Sequence, residues 1–242
     1  MKTTRIIITF CLAFVMNAAL SQTVSGLIEY EFRMDMHRNI PPEREGLKAM
    51  IPQFRVLQYQ LLFDEQQSIY RVVEDEETAF NMERGGMRIA MQMPRTETFT
   101  DRFEKEIVVQ QDFMGTTYLV SEPLEIGPWR IGDEILEIEG YRCMMAWYDD
   151  TVFNHAVTAW FTTELPPFLG PDRYASLPGT VLALDINDGE RVWVARKIKA
   201  TEHNQDAIKR PSRGQRISRE EYLQLVREQR ERMERQGIPF RF

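Results

Sequence analysis

One histidine, His155, is a candidate for acid–base chemistry. His155 begins the alternating run HAVTAWFT and closely follows Asp149 and Asp150. An imidazole that a carboxylate orients can serve as the general base of a hydrolase. A polar residue at the end of a strand produces the same pattern, and we favour that interpretation. The hydrolase stays open as an alternative function.

The usual sequence signatures of catalysis are missing from the chain. None of its three histidines belongs to H-E-x-x-H or to the Cys/His spacing of a zinc site. The sequence also lacks a G-x-S-x-G elbow and a glycine-rich phosphate loop after a strand. We therefore favour a non-catalytic protein, leave enzyme activity open, and expect neither a cofactor nor a metal.

Two clusters of potential metal ligands are better explained without metal. Thioethers bind Cu(I), but Met87 and Met91 share a strand face with Ile89. Flexible apolar side chains in a core or an apolar pocket account for that pattern. The acidic run 74–77 offers oxygen ligands for calcium. Its consecutive side chains point in different directions, so we expect a solvated loop.

The N-terminus is predicted to be a cleaved export signal. Lys2 and Arg5 precede the apolar stretch IIITFCLAFVMNAAL, which is too short for a stable membrane span. Small residues at Ala19 and Ser21 suit a signal peptidase, so we expect residues 1–21 to be removed. The mature protein is expected in the periplasm or at the outer-membrane periphery, and it is not expected to span a membrane.

Net charge limits the classes of expected partner, and cysteine content limits the disulfides of the mature chain. The formal net charge is −7, and removal of the leader takes away two more positive charges. Nucleic acid and anionic lipid are therefore not expected partners. Cys11 lies in the leader, so Cys143 has no partner for a disulfide within the mature chain. We expect Cys143 to be buried in a strand.

Alternation of apolar and polar residues predicts about ten short strands. GLIEYEFRMDM (26–36) is the clearest, and RVLQYQLLF (55–63) and HAVTAWFT (155–162) follow the same period of two. Asn187-Asp188-Gly189 predicts a hairpin between two such runs. Helical periodicity is nearly absent before residue 217. An antiparallel sheet follows, because parallel strands would need helical crossovers.

The C-terminal part differs from this β-rich domain, which we place at residues 22–209. Residues 210–242 are predicted to form a basic strap and one helix. Ser218 and Glu221 fit a capping box at the start of that helix. Gly237 and Pro239 are suited to end it.

Three motifs between residues 140 and 186 resemble the GLPGLI family of exported bacterial proteins. Gly-Tyr-x-Cys-x-x-Ala occurs at 140–146 and Ala-Trp-Phe-Thr-x-Glu-x-Pro at 159–166. Gly-Pro-x-x-Tyr-x-x-Leu-Pro-Gly follows at 170–179, with Ser176 in place of the family's first signature glycine. Thr180-Val181 replace Leu-Ile, so this is a divergent member. The signature positions are Trp160, Gly170, Pro171, Tyr174, Leu177, Pro178 and Gly179.

The resemblance implies an exported, β-rich protein without an established activity, and it supplies no catalytic residues. The residues themselves predict a type II turn, with φ of about −65° at Pro178 and a positive φ at Gly179. We expect this turn to be a rigid corner in the core, against which Trp160, Tyr174 and Leu177 pack. A lip that guards a pocket is the alternative.

Together these features predict a mainly β fold. We expect one curved, mostly antiparallel sheet with a C-terminal α-helix, and a half-barrel like that of periplasmic lipoprotein carriers is one form it can take. Its concave face would bind a hydrophobic ligand, an extended peptide or an outer-membrane protein. A purely structural subunit of an envelope complex is a further alternative. The candidate apolar-pocket residues are Tyr30, Phe32, Met34, Met87, Ile89 and Met91.

Overall fold

Twelve strands form one large curved sheet that does not close into a barrel. The computed structural model describes residues 25–73, 79–84, 87–92, 96–201 and 207–236. A single α-helix, α1 (Arg219–Arg235), follows the last strand. The predicted fold class, a mainly β protein with one curved sheet and a C-terminal helix, is therefore confirmed. The expected leader, residues 1–21, lies outside the described residues.

The structure contains more strands than the approximately ten that the sequence predicted. In chain order the strands are β1 (Gly26–Asp35), β2 (Phe54–Phe63), β3 (Gln67–Val72), β4 (Ala79–Arg84), β5 (Met87–Gln92), β6 (Thr96–Asp101), β7 (Glu106–Phe113), β8 (Thr116–Pro123), β9 (Arg130–Ile138), β10 (Tyr141–Asp150), β11 (His155–Thr162), β12 (Thr180–Ile186), β13 (Arg191–Ala200) and β14 (Gln215–Ser218). Two 3₁₀ helices, Met36–Asn39 and Pro42–Ala49, lie between β1 and β2.

The strands of the large sheet run antiparallel, except that β14 pairs parallel with β8. Their order across the sheet is β14-β8-β7-β6-β3-β2-β1-β13-β12-β11-β10-β9, and β4 and β5 form a separate two-stranded sheet. The predicted hairpin between β12 and β13 is confirmed, since Ile186 pairs with Arg191. Asn187 and Asp188 have φ of 56° and 52°, which suits the twist of a tight hairpin.

The pairing register assigns alternate side chains to two faces of the sheet. We call the face that carries Phe32 the inner face. Leu57, Phe32, Trp193, Leu184, Ala159 and Ala146 lie directly opposite one another across six neighbouring strands. Side chains from β7 and β8 on this face line the same cavity as side chains from β10 and β11. The sheet is therefore concave on the inner face.

A loop between β11 and β12 covers the inner face, and we call it the inner segment (163–179). Its side chains Leu165, Leu169 and Leu177 are each 2 % exposed or less and belong to the same core cluster as Phe32. The backbone N–H of Val181 donates to the carbonyl of Leu169 at 2.8 Å. Burial of these leucines and this hydrogen bond hold the inner segment against the sheet.

The C-terminal helix α1 packs over the end of the same face. Tyr222 and Val226 lie in a cluster with Val109 and Val120 of β7 and β8. The predicted capping box is confirmed. The Glu221 N–H donates to Ser218 Oγ at 3.2 Å, and the Ser218 N–H donates to Glu221 Oε2 at 2.6 Å.

The predicted type II turn at Pro178 and Gly179 is wrong. These residues lie in a bend, and the φ of Gly179 is outside the left-handed region. Glycine is required there for a different reason, since a Cβ atom would lie 2.2 Å from the carbonyl oxygen of Thr162. The left-handed residues of the inner segment are Phe168 and Asp172, with φ of 59° and 51°.

Substitution of Gly179 tests how tightly the inner segment is held. The added Cβ of Gly179→Ala would also lie 2.9 Å from a ring carbon of Phe161, so backbone or core must move. We expect the free energy of unfolding, measured by urea titration, to fall by about 1–3 kcal/mol. Gly46→Ala is the control, because an added Cβ there has no atom within 4 Å. Equal stability of the two variants would contradict the close contact.

Candidate functional site

A cavity of about 270 Å³ lies between the inner face, the inner segment and α1. Alternation brings Gln111 of β7 and Glu122 of β8 to the inner face, on the same side as the buried Val109 and Val120. In the inner segment, the left-handed backbone of Asp172 precedes Arg173 and Tyr174, which also line the cavity. The wall is completed by Arg219 and Tyr222 of α1.

Two of the cavity's arginines share one carboxylate as their ion-pair partner. Arg219 Nη1 lies 2.7 Å from Glu122 Oε2, and Arg173 Nη1 lies 3.9 Å from Glu122 Oε1. Burial acts to lower the pKa of Arg173, but the carboxylates of Asp172 and Glu122 outweigh it and raise that pKa. Arg173 therefore stays charged, and Glu122 pairs with both Arg173 and Arg219 inside the protein.

A third arginine has a different partner. Arg191 Nη2 lies 3.0 Å from His155 Nε2 and 3.2 Å from Nδ1, and the ring of Phe153 stacks on His155 with centroids 5.9 Å apart. Burial and the positive charge of Arg191 lower the pKa of His155, against the opposing effect of Asp150 and Glu190. His155 is therefore neutral at neutral pH.

The side chains around His155 do not form a triad. Asp150 Oδ1 accepts hydrogen bonds from the backbone N–H groups of Val152 and Phe153, at 2.9 and 3.1 Å. Ser176 lines the cavity, but its hydroxyl accepts a hydrogen bond from Trp129 Nε1 at 2.9 Å. Within the described ranges, the ring nitrogens of His155 are bonded to Arg191 and to no carboxylate, hydroxyl or thiol.

Aromatic rings supply much of the cavity's remaining surface. Trp129 and Tyr148 meet edge to face, with ring centroids 4.6 Å apart. Tyr174 lies beside them and contacts Trp193 of the core at a centroid distance of 6.5 Å. Burial, followed by the charge of Asp172, raises the pKa of Tyr174 to about 12, so its hydroxyl stays protonated. The cavity thus combines flat apolar walls with charged and hydrogen-bonding groups.

Four buried polar atoms of cavity-lining residues have no hydrogen-bond partner among the described residues. Nη1 of Arg219 and Oε1 of Glu122 belong to the ion pairs of Glu122, and the other two are the donors Nε2 of Gln111 and Nε of Arg191. Buried polar groups are nearly always hydrogen-bonded in native proteins, and a buried donor without an acceptor is costly. A ligand or water in the cavity that accepts hydrogen bonds would satisfy both groups.

The signature residues are divided between core and cavity. Tyr174 lines the cavity, Leu177 is buried in the core, and Pro178 is exposed. Pro171 is buried, and a Cβ atom on Gly170 would lie 2.7 Å from the carbonyl oxygen of Tyr174. Trp160 lies on the opposite face of the sheet, where it lines a separate shallow groove.

Three of the six candidate apolar-pocket residues lie in or against the core instead of on the cavity wall. Tyr30 and Phe32 are 0 % and 3 % exposed, and Met34 packs against their cluster. The Tyr30 hydroxyl donates to the carbonyl of Val181 at 2.7 Å. The side chains of Met87, Ile89 and Met91 lie outside the described residues. Cys143 is buried in β10 as expected, and burial raises the pKa of its thiol to about 11.

Two cavity residues that the sequence motifs did not identify, Gln111 and Arg191, can be recognised from the strand patterns. Gln111 and Arg191 fall on strand positions that share a face with Val109 and Trp193. Polar residues at apolar positions of an alternating strand are often functional. Their convergence depends on sheet curvature, which the strand patterns do not encode.

The described residues include no group of three or more His, Cys, Asp or Glu side chains placed to hold a metal ion. Across the same ranges, no helix is both long enough and apolar enough to cross a membrane.

Comparison with known proteins identifies similar folds and no family. No protein-family model matches the chain, and no curated protein matches it significantly. The chain is similar in structure to PNGF-II in its P21 and C2 crystal forms, with a TM-score of 0.56 and 13% identity in each case. The match covers 85% of this chain and 34% or 33% of PNGF-II. The chain therefore spans about a third of PNGF-II, and the likeness concerns the fold alone.

An uncharacterised conserved protein from Thermus thermophilus is less similar. Its TM-score is 0.39 at 10% identity, over 81% of this chain and 93% of that protein.

The titration of His155 tests the electrostatics of the cavity. We expect a midpoint below about 6.5, measured by NMR of the imidazole Cε1–H resonance and assigned with His155→Asn. Arg191→Gln should raise that midpoint, because it removes one of the two causes that lower the pKa. Arg196→Gln, on the opposite face of β13, should leave it unchanged.

Protonation of His155 should favour the unfolded chain, because the folded-state pKa is the lower one. The stability that neutral His155 contributes is fully present above its unfolded-state pKa. It is lost as the pH falls from there through the lower, folded-state pKa. A midpoint at or above the ordinary histidine value would contradict this arrangement.

Proposed function

We propose that the chain is an exported, non-catalytic binding protein of the cell envelope, and that it holds a small organic ligand in the cavity of the inner face. The observation that carries this proposal is the cavity itself. It is lined by aromatic rings and charged groups, and two buried donors on its wall have no acceptor. Concave sites with apolar walls and a few convergent polar groups are typical of ligand binding.

The envelope location is supported by the sequence. The basic start, the apolar stretch and the small residues at Ala19 and Ser21 are typical of an export signal. The resemblance to the GLPGLI family supports the same location. We propose the periplasm or the outer-membrane periphery as the site of action.

The ligand that suits this cavity is amphipathic rather than wholly apolar. The apolar side chains of β1 are used in the core, where Tyr30 and Phe32 are buried. The groups left to the cavity combine rings such as Trp129 and Tyr148 with charged side chains such as Arg191. An apolar chain alone would leave the buried charges and donors without partners.

Binding without turnover is the better account of the chemistry around His155. Its ring contacts a cation, while Asp150 is held by backbone N–H groups. No described carboxylate is therefore bonded to the imidazole as an orienting group. Recovery of a chemically altered ligand after incubation with the purified protein would favour the hydrolase alternative instead.

Filling the cavity tests the proposal. We expect the mature protein, purified from an envelope fraction under mild conditions, to show excess mass in native mass spectrometry that disappears on denaturation. Gln111→Phe should abolish the excess mass, because the larger side chain enters the cavity from the inner face. Gln110→Phe is the matched control, since the neighbouring residue of β7 points to the other face. Retention of the ligand by Gln111→Phe would refute the proposed site.

The edge of the sheet favours a second candidate function, the capture of an extended basic peptide. β9 is the last strand of the sheet, and no described strand pairs with its outer edge. Ile131, Ile135 and Leu136 of β9 are 56%, 53% and 46% exposed. Asp133 and Glu134 lie on the same strand. An unpaired edge with exposed apolar groups can accept an added strand, and the acidic residues favour a basic one.

Fluorescence polarisation with labelled peptides tests this second candidate. A short peptide of alternating Lys and Val should bind, and its counterpart of alternating Glu and Val should not. Ile135→Asn should weaken binding of the basic peptide several-fold, because it removes apolar contact area at the edge. Val56→Asn is the control, since Val56 is 50% exposed on a different strand. Equal binding of both peptides would exclude strand capture at β9.

A further inference from the structure

We infer that the ligand of the cavity is a small aromatic or otherwise flat carboxylate, whose carboxylate is bound by Arg191. This inference rests on the proposed function and names the chemical class of its ligand. It follows from four observations: the charge balance around Arg191, the occupation of the neighbouring carboxylates, a second unpaired donor, and the rings on the cavity wall.

Arg191 is the cavity arginine that has no ion-pair partner in the described part of the chain. Arg173 and Arg219 share the carboxylate of Glu122, and Arg196 on the same strand pairs with Glu31 at 2.7 Å. Among the described residues, no Asp or Glu oxygen lies within ion-pair distance of the Arg191 guanidinium. A half-buried charge is costly unless it is paired, so the site favours an anion.

The two carboxylates whose charge acts on the adjacent His155, Asp150 and Glu190, are held by other groups. Asp150 accepts two backbone N–H groups of its own turn. Glu190 Oε2 accepts a hydrogen bond from Asn187 Nδ2 at 2.8 Å. His155, the direct neighbour of Arg191, is a neutral ring and supplies no negative charge. Among the described residues, neither Asp150 nor Glu190 therefore forms an ion pair with Arg191.

The donors present match a carboxylate in number and kind. A guanidinium offers two N–H groups in a planar fork, and Nε of Arg191 is buried without an acceptor. Nε2 of Gln111, on β7, is a second donor of the cavity lining that is buried without an acceptor. A carboxylate has two oxygens that accept hydrogen bonds and no proton to donate, so it suits donors of both kinds.

The aromatic residues of the cavity wall indicate which chemical group of the ligand carries the carboxylate. The rings of Trp129, Tyr148 and Tyr174 line the cavity beside the charged groups. Their flat surfaces favour an aromatic or similarly planar group, through contact area and ring geometry. The volume of about 270 Å³ limits the ligand to a small molecule.

A series of single-ring probes isolates the contribution of charge. We expect benzoate to bind in isothermal titration calorimetry, and benzamide and benzylamine, which share its ring but not its charge, to bind at least about tenfold more weakly. Arg191→Gln should weaken benzoate binding about tenfold to a hundredfold. Arg191→Lys should restore part of the affinity, because it keeps the charge but loses the fork.

Arg196→Gln is the matched control and should leave benzoate binding unchanged. Its guanidinium lies on the same strand but on the other face, paired with Glu31. Thermal denaturation of each variant, compared with wild type, shows whether a loss of binding reflects a loss of folding. A folded Arg191→Gln protein that binds benzoate as tightly as wild type would overturn the inference.

The outcomes separate this inference from the proposed function. If Gln111→Phe abolishes the native ligand mass but benzoate and benzamide bind equally, the cavity is a binding site and the carboxylate assignment is wrong. If benzoate binds and depends on Arg191, both statements stand. If the wild type carries no ligand and binds none of the three probes, the proposed function itself is wrong.

Discussion

The burial of the inner segment is the constraint on which the rest of the structure depends. An open, curved sheet exposes a broad apolar concave face unless another element covers it. Here that face carries Phe32 and Trp193, and one loop covers it by burying Leu165 and Leu177. The close approach of Gly179 to Thr162 brings the loop back to the sheet, where β12 then begins. Without that loop, the face would remain in contact with water and the sheet would lack much of its core.

The same covering element creates the cavity. The inner segment fills the face above the central strands, but its polar stretch, with Asp172 in a left-handed conformation, lies where the apolar contacts end. There α1 completes the enclosure, and Glu122 pairs with both Arg173 and Arg219 where the helix meets the inner segment. Buried charges contribute little net stability, but they are costly to separate. This network therefore fixes the relative position of sheet, loop and helix, and with it the shape of the site.

Local sequence patterns predicted individual strands and the hairpin better than they predicted how the strands pair and form the cavity. A period of two identified β1 and β11, and the Asn-Asp-Gly motif identified the β12–β13 hairpin, because these signals lie within a few residues. The pairing of β1 with β13, and the shared cavity of β7 and β11, depend on contacts distant in sequence. Pro178-Gly179 shows the limit within a single motif. A glycine needed for a positive φ and one needed for a close contact have the same sequence, and only the position of Thr162 distinguishes them.

A ligand of the proposed kind would stabilise the fold as well as occupy the cavity. An anion at Arg191 binds only when β13, the inner segment and α1 are assembled, since together they form the walls of the cavity. Binding to the folded state alone stabilises that state in proportion to the logarithm of ligand concentration. The charge that Arg191 leaves unbalanced costs stability in the empty protein, and the ligand would recover it. Such a site trades some intrinsic stability for affinity, which is a reason for a protein to keep an arginine without an ion-pair partner beside its core.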